Sequence, residues 1–361
     1  MATRLHEVTP GVESTPGVTP APTPPAPVRR RFATGAATVI IRRVLGAIVS
    51  LFAVLVFNFF LFRVLPGDPA RKLARNRHMS AEQVVELRRS MGLDRPLGDQ
   101  FFTYLNRLLL HGDLGPAFSK GKMPVAEYIG DRIWPTVLLV GSSTILSIVF
   151  GLWIGIKGAW QRGSTFDRLS NATSLTLYSM PIFWLGIVFL MVMAGNQMGL
   201  GLFPTGGMHD VTPPEGWFAN ALDVLHHLFL PCLTLTLAYL AEFSLVMRSS
   251  LLDEMGQDYL TTARAKGLRD LNVRRRHAVP NALLPTTTLI FLHLGFIISG
   301  ALTVEIVYSW PGLGLASLEA LEFPDFNLLQ GIFLLFAVST IVFNLVGDLL
   351  LGVLDPRVRE A

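Results

Sequence analysis

Six long runs of apolar residues constrain this chain more than anything else in it. They lie at about 44–62, 134–156, 170–194, 226–247, 287–307 and 329–353. A bilayer core about 30 Å thick takes roughly 20 helical residues to cross, and each run is about that long. The first, VLGAIVSLFAVLVFNFFLF, carries no charge. The fourth is the weakest, because it holds His226, His227, Pro231 and Glu242. No run shows the period-two alternation of a membrane β-barrel strand. Only 16% of the 361 residues are charged, against about 25% in soluble domains. The expected fold is an all-α polytopic membrane protein with six transmembrane helices. Helix 1 is expected at 41–63, and a five-helix core over 133–355 at about 133–156, 169–195, 225–247, 286–308 and 328–353.

Basic residues in short loops set the expected orientation. Loop 157–168 holds Lys157, Arg162 and Arg168, and loop 248–285 holds seven Lys or Arg residues. Arg29–Arg31, Arg42 and Arg43 precede helix 1, and Arg357 and Arg359 follow helix 6. Segments 196–224 and 309–327 have no Lys or Arg. Both termini, including the tail 356–361, are therefore expected in the cytosol. Segment 64–132 is rich in basic residues but long, and long loops cross largely regardless of charge. It is expected outside, as a small extracytoplasmic domain between helices 1 and 2. Within it, Ser80 is placed to cap a helix with Gln83 three residues on, and Val84, Leu87 and Met91 share a face. A second helix is expected through Phe101, Tyr104, Leu105 and Leu108. Residues 1–40 begin with a Pro/Thr-rich stretch too poor in apolar residues to order itself, so a disordered cytosolic tail is expected there. The net charge of +4 follows from the orientation bias and implies no nucleic acid partner. Membrane lipid is the partner that composition does imply.

No catalytic constellation is visible. Gly121-Lys122 is followed by Met123 and lacks the upstream glycine of a phosphate loop. No H-E-x-x-H pair offers zinc ligands, and the single cysteine, Cys232, permits neither an intrachain disulfide nor a thiolate metal site. Catalytic residues, bound metals and cofactors of the chain's own are thus expected to be none. Ionisable groups within the runs are candidates because burying them is costly. They are Glu242, Glu305 and Asp348, and each could instead satisfy a neighbouring backbone group or pair with a helix-end arginine such as Arg248.

The polar loop 248–285 is the remaining candidate. Asp258 is placed to cap a short helix and Gly267 to end it in a left-handed conformation. Tyr259, Ala263 and Lys266 fall on one face, Leu260, Arg264 and Gly267 on another. Small side chains at Thr262, Ala263 and Ala265 allow another surface to approach. Pro280 and Pro285 are expected to break the chain before helix 5. On spacing alone, a docking helix and an ordinary positive-inside loop lying on anionic lipid stand level.

The loop resembles the cytosolic "EAA" loop of ATP-binding-cassette (ABC) importer permeases. That pattern is Glu-Ala-Ala, three residues, Gly, nine residues and Ile-x-Leu-Pro. Gly267 and Pro280 match it, Thr261-Thr262-Ala263 replaces the leading triplet, and His277 and Val279 replace Ile and Leu. The dipeptide/oligopeptide branch is closer, with DY-x-x-TARAKGL, HA and NALLP in order. The same branch is similar at LPGDPA (65–70), MGLDRPL (91–97), GDLG (112–115), LFPTGG (202–207), VEIVYSWPGLG (304–314) and DPRVR (355–359). The resemblance covers about 40–361 and implies a type I ABC importer permease in the bacterial plasma (inner) membrane. It implies a second homologous permease, two cytosolic ABC ATPase subunits or domains that carry ATP and Mg, an extracytoplasmic substrate-binding protein and a peptide substrate. Asp258, Tyr259, Thr262, Ala263, Arg264, Ala265, Lys266 and Gly267 would form the helix that couples to the ATPase. Glu305 and Trp310 would belong to the substrate path or outer gate. Related permeases for nickel, glutathione or haem, and a stand-alone secondary carrier, are the alternative readings.

Overall fold

The computed structural model describes residues 36–64, 69–76, 79–194, 199–299 and 301–354. Of the expected tails at 1–40 and 356–361, residues 1–35 and 356–361 lie outside the described residues, as do most of LPGDPA and Gly300, whereas 36–40, expected to be disordered, open the first helix. In chain order, α1 is Ala36–Val64, α2 Pro69–Asn76, α3 Ala81–Ser90 and α4 Leu97–His111. An antiparallel pair, β1 (Pro116–Ala117) on β2 (Met123–Pro124), leads into α5, Val125–Trp160. There follow α6 (Thr165–Ser179), α7 (Ile182–Phe189), α8 (Trp217–Met255), α9 (Asp258–Ala265) and α10 (Asp270–Val273). The last are α11 (Val279–Phe296), α12 (Leu302–Val307), α13 (Leu313–Glu322) and α14 (Phe326–Leu354).

Helix dominates for a physical reason: in hydrocarbon each backbone N–H and C=O must be bonded within its own segment. Five described helical stretches are long and apolar enough to cross a membrane: Ile40–Arg63, Val125–Trp160, Trp217–Met255, Asp270–Phe296 and Phe326–Leu350. The expected third span is not one straight helix. Here α6 and α7 meet at a bend of 101°. Pro181 lacks the N–H that would continue the ladder, and Met180 before it is extended at φ −84°, ψ 134°. The fifth span also departs from expectation. It ends at Phe296, and residues 297–299 turn before α12 begins, so Glu305 belongs to a separate short helix. At its other end Pro280 and Pro285 lie inside α11 and do not break it. A π-helical turn, Arg274–Ala278, joins α10 to α11 and accommodates the first proline's missing donor.

Small residues bring α5 and α8 together. Ser143, Ser147, Gly151 and Gly155 repeat every fourth position along one face of α5. A Cβ on Gly151 would lie 2.7 Å from the Phe243 Cβ, and one on Gly155 would lie 2.7 Å from the Ser244 carbonyl oxygen. The serines above them donate across the seam, Ser143 to Cys232 O (3.3 Å) and Ser147 to Thr236 O (3.0 Å). At 36 residues and about 1.5 Å each, α5 runs roughly 54 Å and reaches both ends of the bundle. At one end Val125 and Ile129 pack with Phe62, Leu313, Leu328 and Ile332. At the other, Ala159 packs with Met247, Leu251, Leu260 and Ala278.

The 64–132 segment joins the first of these ends. The capping box of α3 forms as expected, with Ser80 N donating to Gln83 Oε1 (2.9 Å) and Gln83 N to Ser80 Oγ (3.3 Å). Leu87 and Met91 pack with Leu73 and Phe118. On α4, Phe101 and Tyr104 lie against Phe59 of α1, with ring centroids 5.1 and 5.5 Å apart.

Candidate functional site

At the loop end of the bundle, α9 is built from a mixed face. Leu260 is fully buried and Ala263 nearly so, in the cluster with Ala159, Leu251 and Val273. Thr261, Thr262, Ala265, Lys266 and Gly267 face outward, as do Leu268 and Leu271 beyond the helix. Ala263 thus points into the fold, away from the face open to a partner. The N-cap is Gln257, and Asp258 is the first helical residue with no side-chain cap bond. Its carboxylate adds only the favourable charge that a helix N-terminus prefers. Gly267 does end the helix, at φ +79°. Gly267 N donates to Arg264 O (2.9 Å) and Leu268 N to Ala263 O (3.3 Å), the paired bonds of a Schellman cap.

Three further contacts clamp this helix. The Tyr259 hydroxyl donates to the Glu254 carboxylate and accepts from Asn281 Nδ2 (2.9 Å), which also reaches His277 O (3.1 Å). Burial, then Glu254, pushes the Tyr259 hydroxyl above its ordinary range, so it stays protonated. Trp160, the last residue of α5, donates to Asp270 Oδ2 (2.9 Å) beneath the guanidinium groups of Arg264 (6.0 Å) and Arg274 (5.8 Å). Nearby, Arg248 makes a two-pronged bond to Asp167, Nε to Oδ1 at 2.7 Å and NH2 to Oδ2 at 3.1 Å. That pair fixes the 157–168 loop to α8. Sequence reasoning missed Trp160 and Asn281, since neither belongs to the short helix.

At the opposite end Glu305 is fully buried. Its carboxylate accepts from Thr136 Oγ1 (2.9 Å), Gly314 N (2.7 Å) and Leu315 N (3.2 Å). Thr136 in turn accepts from Leu313 N (2.8 Å). Glu305 and Thr136 together therefore satisfy the first-turn donors of α13, which has no side-chain cap of its own. Trp310 is also fully buried, and its indole donates to Pro135 O (2.8 Å). Tyr308 shares a hydrogen bond with Thr234 Oγ1 (2.9 Å) and donates to Gly186 O (3.2 Å). Neither Glu305 nor Trp310 is open to a passing ligand in this arrangement. They tie the 301–316 segment to α5 instead. Of the other intramembrane candidates, Glu242 pairs with His293 (3.1 Å) rather than with an arginine, and the Asp348 backbone oxygen accepts from Arg43. The groups nearest to a metal set are Asp210, Asp223 and His227. Asp223 already accepts from Asp210 N (3.1 Å) and faces His209 (3.4 Å), so these residues hold the 199–216 loop against α8.

The family model described as "Binding-protein-dependent transport system inner membrane component" matches residues 147–360, and the model of its N-terminal part matches 37–137. The chain belongs to this family. It is a permease subunit of an ABC importer, a multi-pass inner-membrane protein, and ATP hydrolysis lies on separate subunits. The permease is 36% identical over 339 residues to the dipeptide transport system permease protein DppB of Escherichia coli (strain K12), spanning 89% of this chain and 98% of that protein. It is also 36% identical over 319 residues to the glutathione transport system permease protein GsiC of Pectobacterium atrosepticum, spanning 88% and 98%. Permeases of this family work with a second permease, ATPases and a binding protein.

Proposed function

We propose that this permease carries di- or oligopeptides, through a path it forms with a second, homologous permease. Similarity to a dipeptide permease and to a glutathione permease at equal identity supports a short peptide as cargo. An extracytoplasmic binding protein delivers the peptide to the face bearing 64–132, 196–224 and 309–327. Loop 248–285 and both termini face the cytosol, where α9 seats on one of two ATPase subunits that hold ATP and Mg. The exposed row of Thr261, Thr262, Ala265 and Leu268, backed by buried Leu260 and Ala263, is the observation that carries this docking role. Asp258, Tyr259, Arg264, Lys266 and Gly267 shape and hold that row. Glu305 and Trp310 act on the outer gate by anchoring the 301–316 segment, without touching cargo.

Two measurements test the reading. In cells lacking this gene, uptake of labelled dipeptides falls and returns when the gene is restored. Loss of glutathione uptake alone moves the cargo to glutathione, and no change in either sinks the peptide reading. Ala265→Arg adds a charge to the outward row without touching the core. The variant reaches the membrane but loses uptake at least about tenfold, a cost near 1.4 kcal/mol at the interface. Ala263→Arg is the poorer probe, because its side chain would enter the packed cluster. Undiminished uptake by Ala265→Arg overturns the docking role.

A further inference from the structure

Three of the few buried polar atoms without a hydrogen-bond partner among the described residues line one cavity. They are Arg63 Nε, Gln100 Oε1 and the Tyr104 hydroxyl. The cavity measures about 140 Å³ and lies where the end of α1 meets α4, the 91–92 turn, the 113–118 segment and the start of α14. That is several times the roughly 30 Å³ a water occupies in the liquid. Arg89, Arg95 and Arg107 also line it, and among the described residues none of these four arginines pairs with a carboxylate. Asp113 is the one acidic residue of the lining, and its Oδ1 accepts from Gly115 N (2.7 Å). Burial pushes the Tyr104 hydroxyl up to about 12, so it remains a proton donor. Four arginines and a protonated phenol in one lining suit a phosphate oxygen cluster.

The position of the cavity narrows its occupant. Arg63 is the last residue of the first candidate span. On α4, Gln100, Tyr104 and Arg107 follow the i, i+4, i+7 spacing of one helix face and line the cavity. The opposite side shows Phe102, Leu109 and Leu110 at 69, 67 and 75% exposure. A helix with an apolar side turned outward beside the end of a span lies in the membrane interface, at the depth of lipid headgroups. Gln100 Oε1 and Asp113 are acceptors, which an ionised phosphodiester, having no O–H, cannot use but a hydroxylated headgroup can.

We propose that this cavity is a site for a phosphate group bearing a hydroxylated headgroup, supplied by an acidic phospholipid of the outer leaflet. The shared chemistry with free phosphate is separated by the test. The full-length chain is purified and loaded with phosphatidylglycerol, phosphatidic acid or phosphatidylcholine, and retained lipid is read by native mass spectrometry. Phosphatidylglycerol is retained about tenfold over phosphatidylcholine, and phosphatidic acid falls between them. Arg89→Gln/Arg107→Gln, both at exposed positions, removes the preference for phosphatidylglycerol. Tyr104→Phe weakens retention yet leaves the lipid-free melting temperature equal or higher, because it removes an unpartnered hydroxyl from an empty cavity. Equal retention of phosphatidylglycerol and phosphatidylcholine, or a double variant that behaves like the parent, overturns the lipid site. In the second arm, inorganic phosphate is compared with chloride at matched ionic strength. If phosphate raises the melting temperature of the parent but not of the double variant, and the lipids show no preference, the anion site stands and its lipid source falls.

Discussion

Glu305 shows how a single ionisable residue within an apolar run can be structural. An acidic side chain there is costly unless every lone pair finds a donor. Thr136 and two amides of α13 supply those donors. The carboxylate needs space as well: a Cβ on Gly312 would lie 2.4 Å from the Glu305 carboxyl carbon. Gly312→Ala should therefore destabilise the protein by about 1–3 kcal/mol, as overpacking of a closed site does. Glu305→Ala should cost a similar amount, about 1–3 kcal/mol, by leaving buried amides unpaired. Thermal melting of the purified variants measures both, and Gly312→Ala melting with the parent would show that the cradle can relax. The sequence flagged Glu305 but could not assign its role. The donors come from residues 136, 314 and 315, and only the folded chain brings α5 and α13 together.

At the scale of elements, the short helix α9 depends on its terminator. Gly267 has open space around it, so a substitution there meets no steric clash, only the left-handed backbone. Gly267→Ala should cost about 1–2 kcal/mol of local stability. Hydrogen exchange of the amides over 258–268 should speed up accordingly, while α5 and α8 stay protected. Unchanged exchange would mean that the clamp through Tyr259 and Trp160 holds the helix without its cap. Most spans were legible because apolar length is a strong signal: α1, α5, α8 and α14 contain the expected runs 41–63, 133–156, 225–247 and 328–353. Two were not read correctly, and in both cases apolar composition hid backbone geometry. Pro181 lies in a run as hydrophobic as its neighbours yet turns the chain by 101°. The fifth run continues past Phe296 in composition but not in conformation. The loop helix was legible from Gly267, whereas its inward face was misassigned at Ala263, because spacing alone does not say which side a partner covers.

At the scale of the whole molecule, α13 is tied to the 64–132 segment by charge. Lys120 Nζ donates to Glu319 at 2.7 Å and the Tyr128 hydroxyl donates to the same carboxylate at 2.9 Å. Burial pushes the Glu319 carboxyl up, but these two partners outweigh it and hold the carboxyl below its usual range. A depressed carboxyl contributes stability above its unfolded value of about 4.3 and loses it as pH falls through the folded value. The melting temperature should therefore drop on acidification below about pH 4.3, and Glu319→Gln should flatten that part of the curve. Orientation can be measured directly. Cys232 is buried, so cysteines placed at exposed Leu271 and Val211 dominate labelling by an impermeant thiol reagent. Leu271→Cys should react in inverted vesicles and Val211→Cys in right-side-out ones; the reverse pattern would invert the topology. The glycine and serine seam of α5 on α8 has a kinematic consequence. With no clearance at Gly151 and Gly155, the two helices cannot slip past each other. They form a chassis, and α9, clamped to their ends, rides on it. Among the described residues, the kink at Met180–Pro181 and the turn at 297–299 interrupt two of the expected spans, and a swing of those spans against the chassis would bend there.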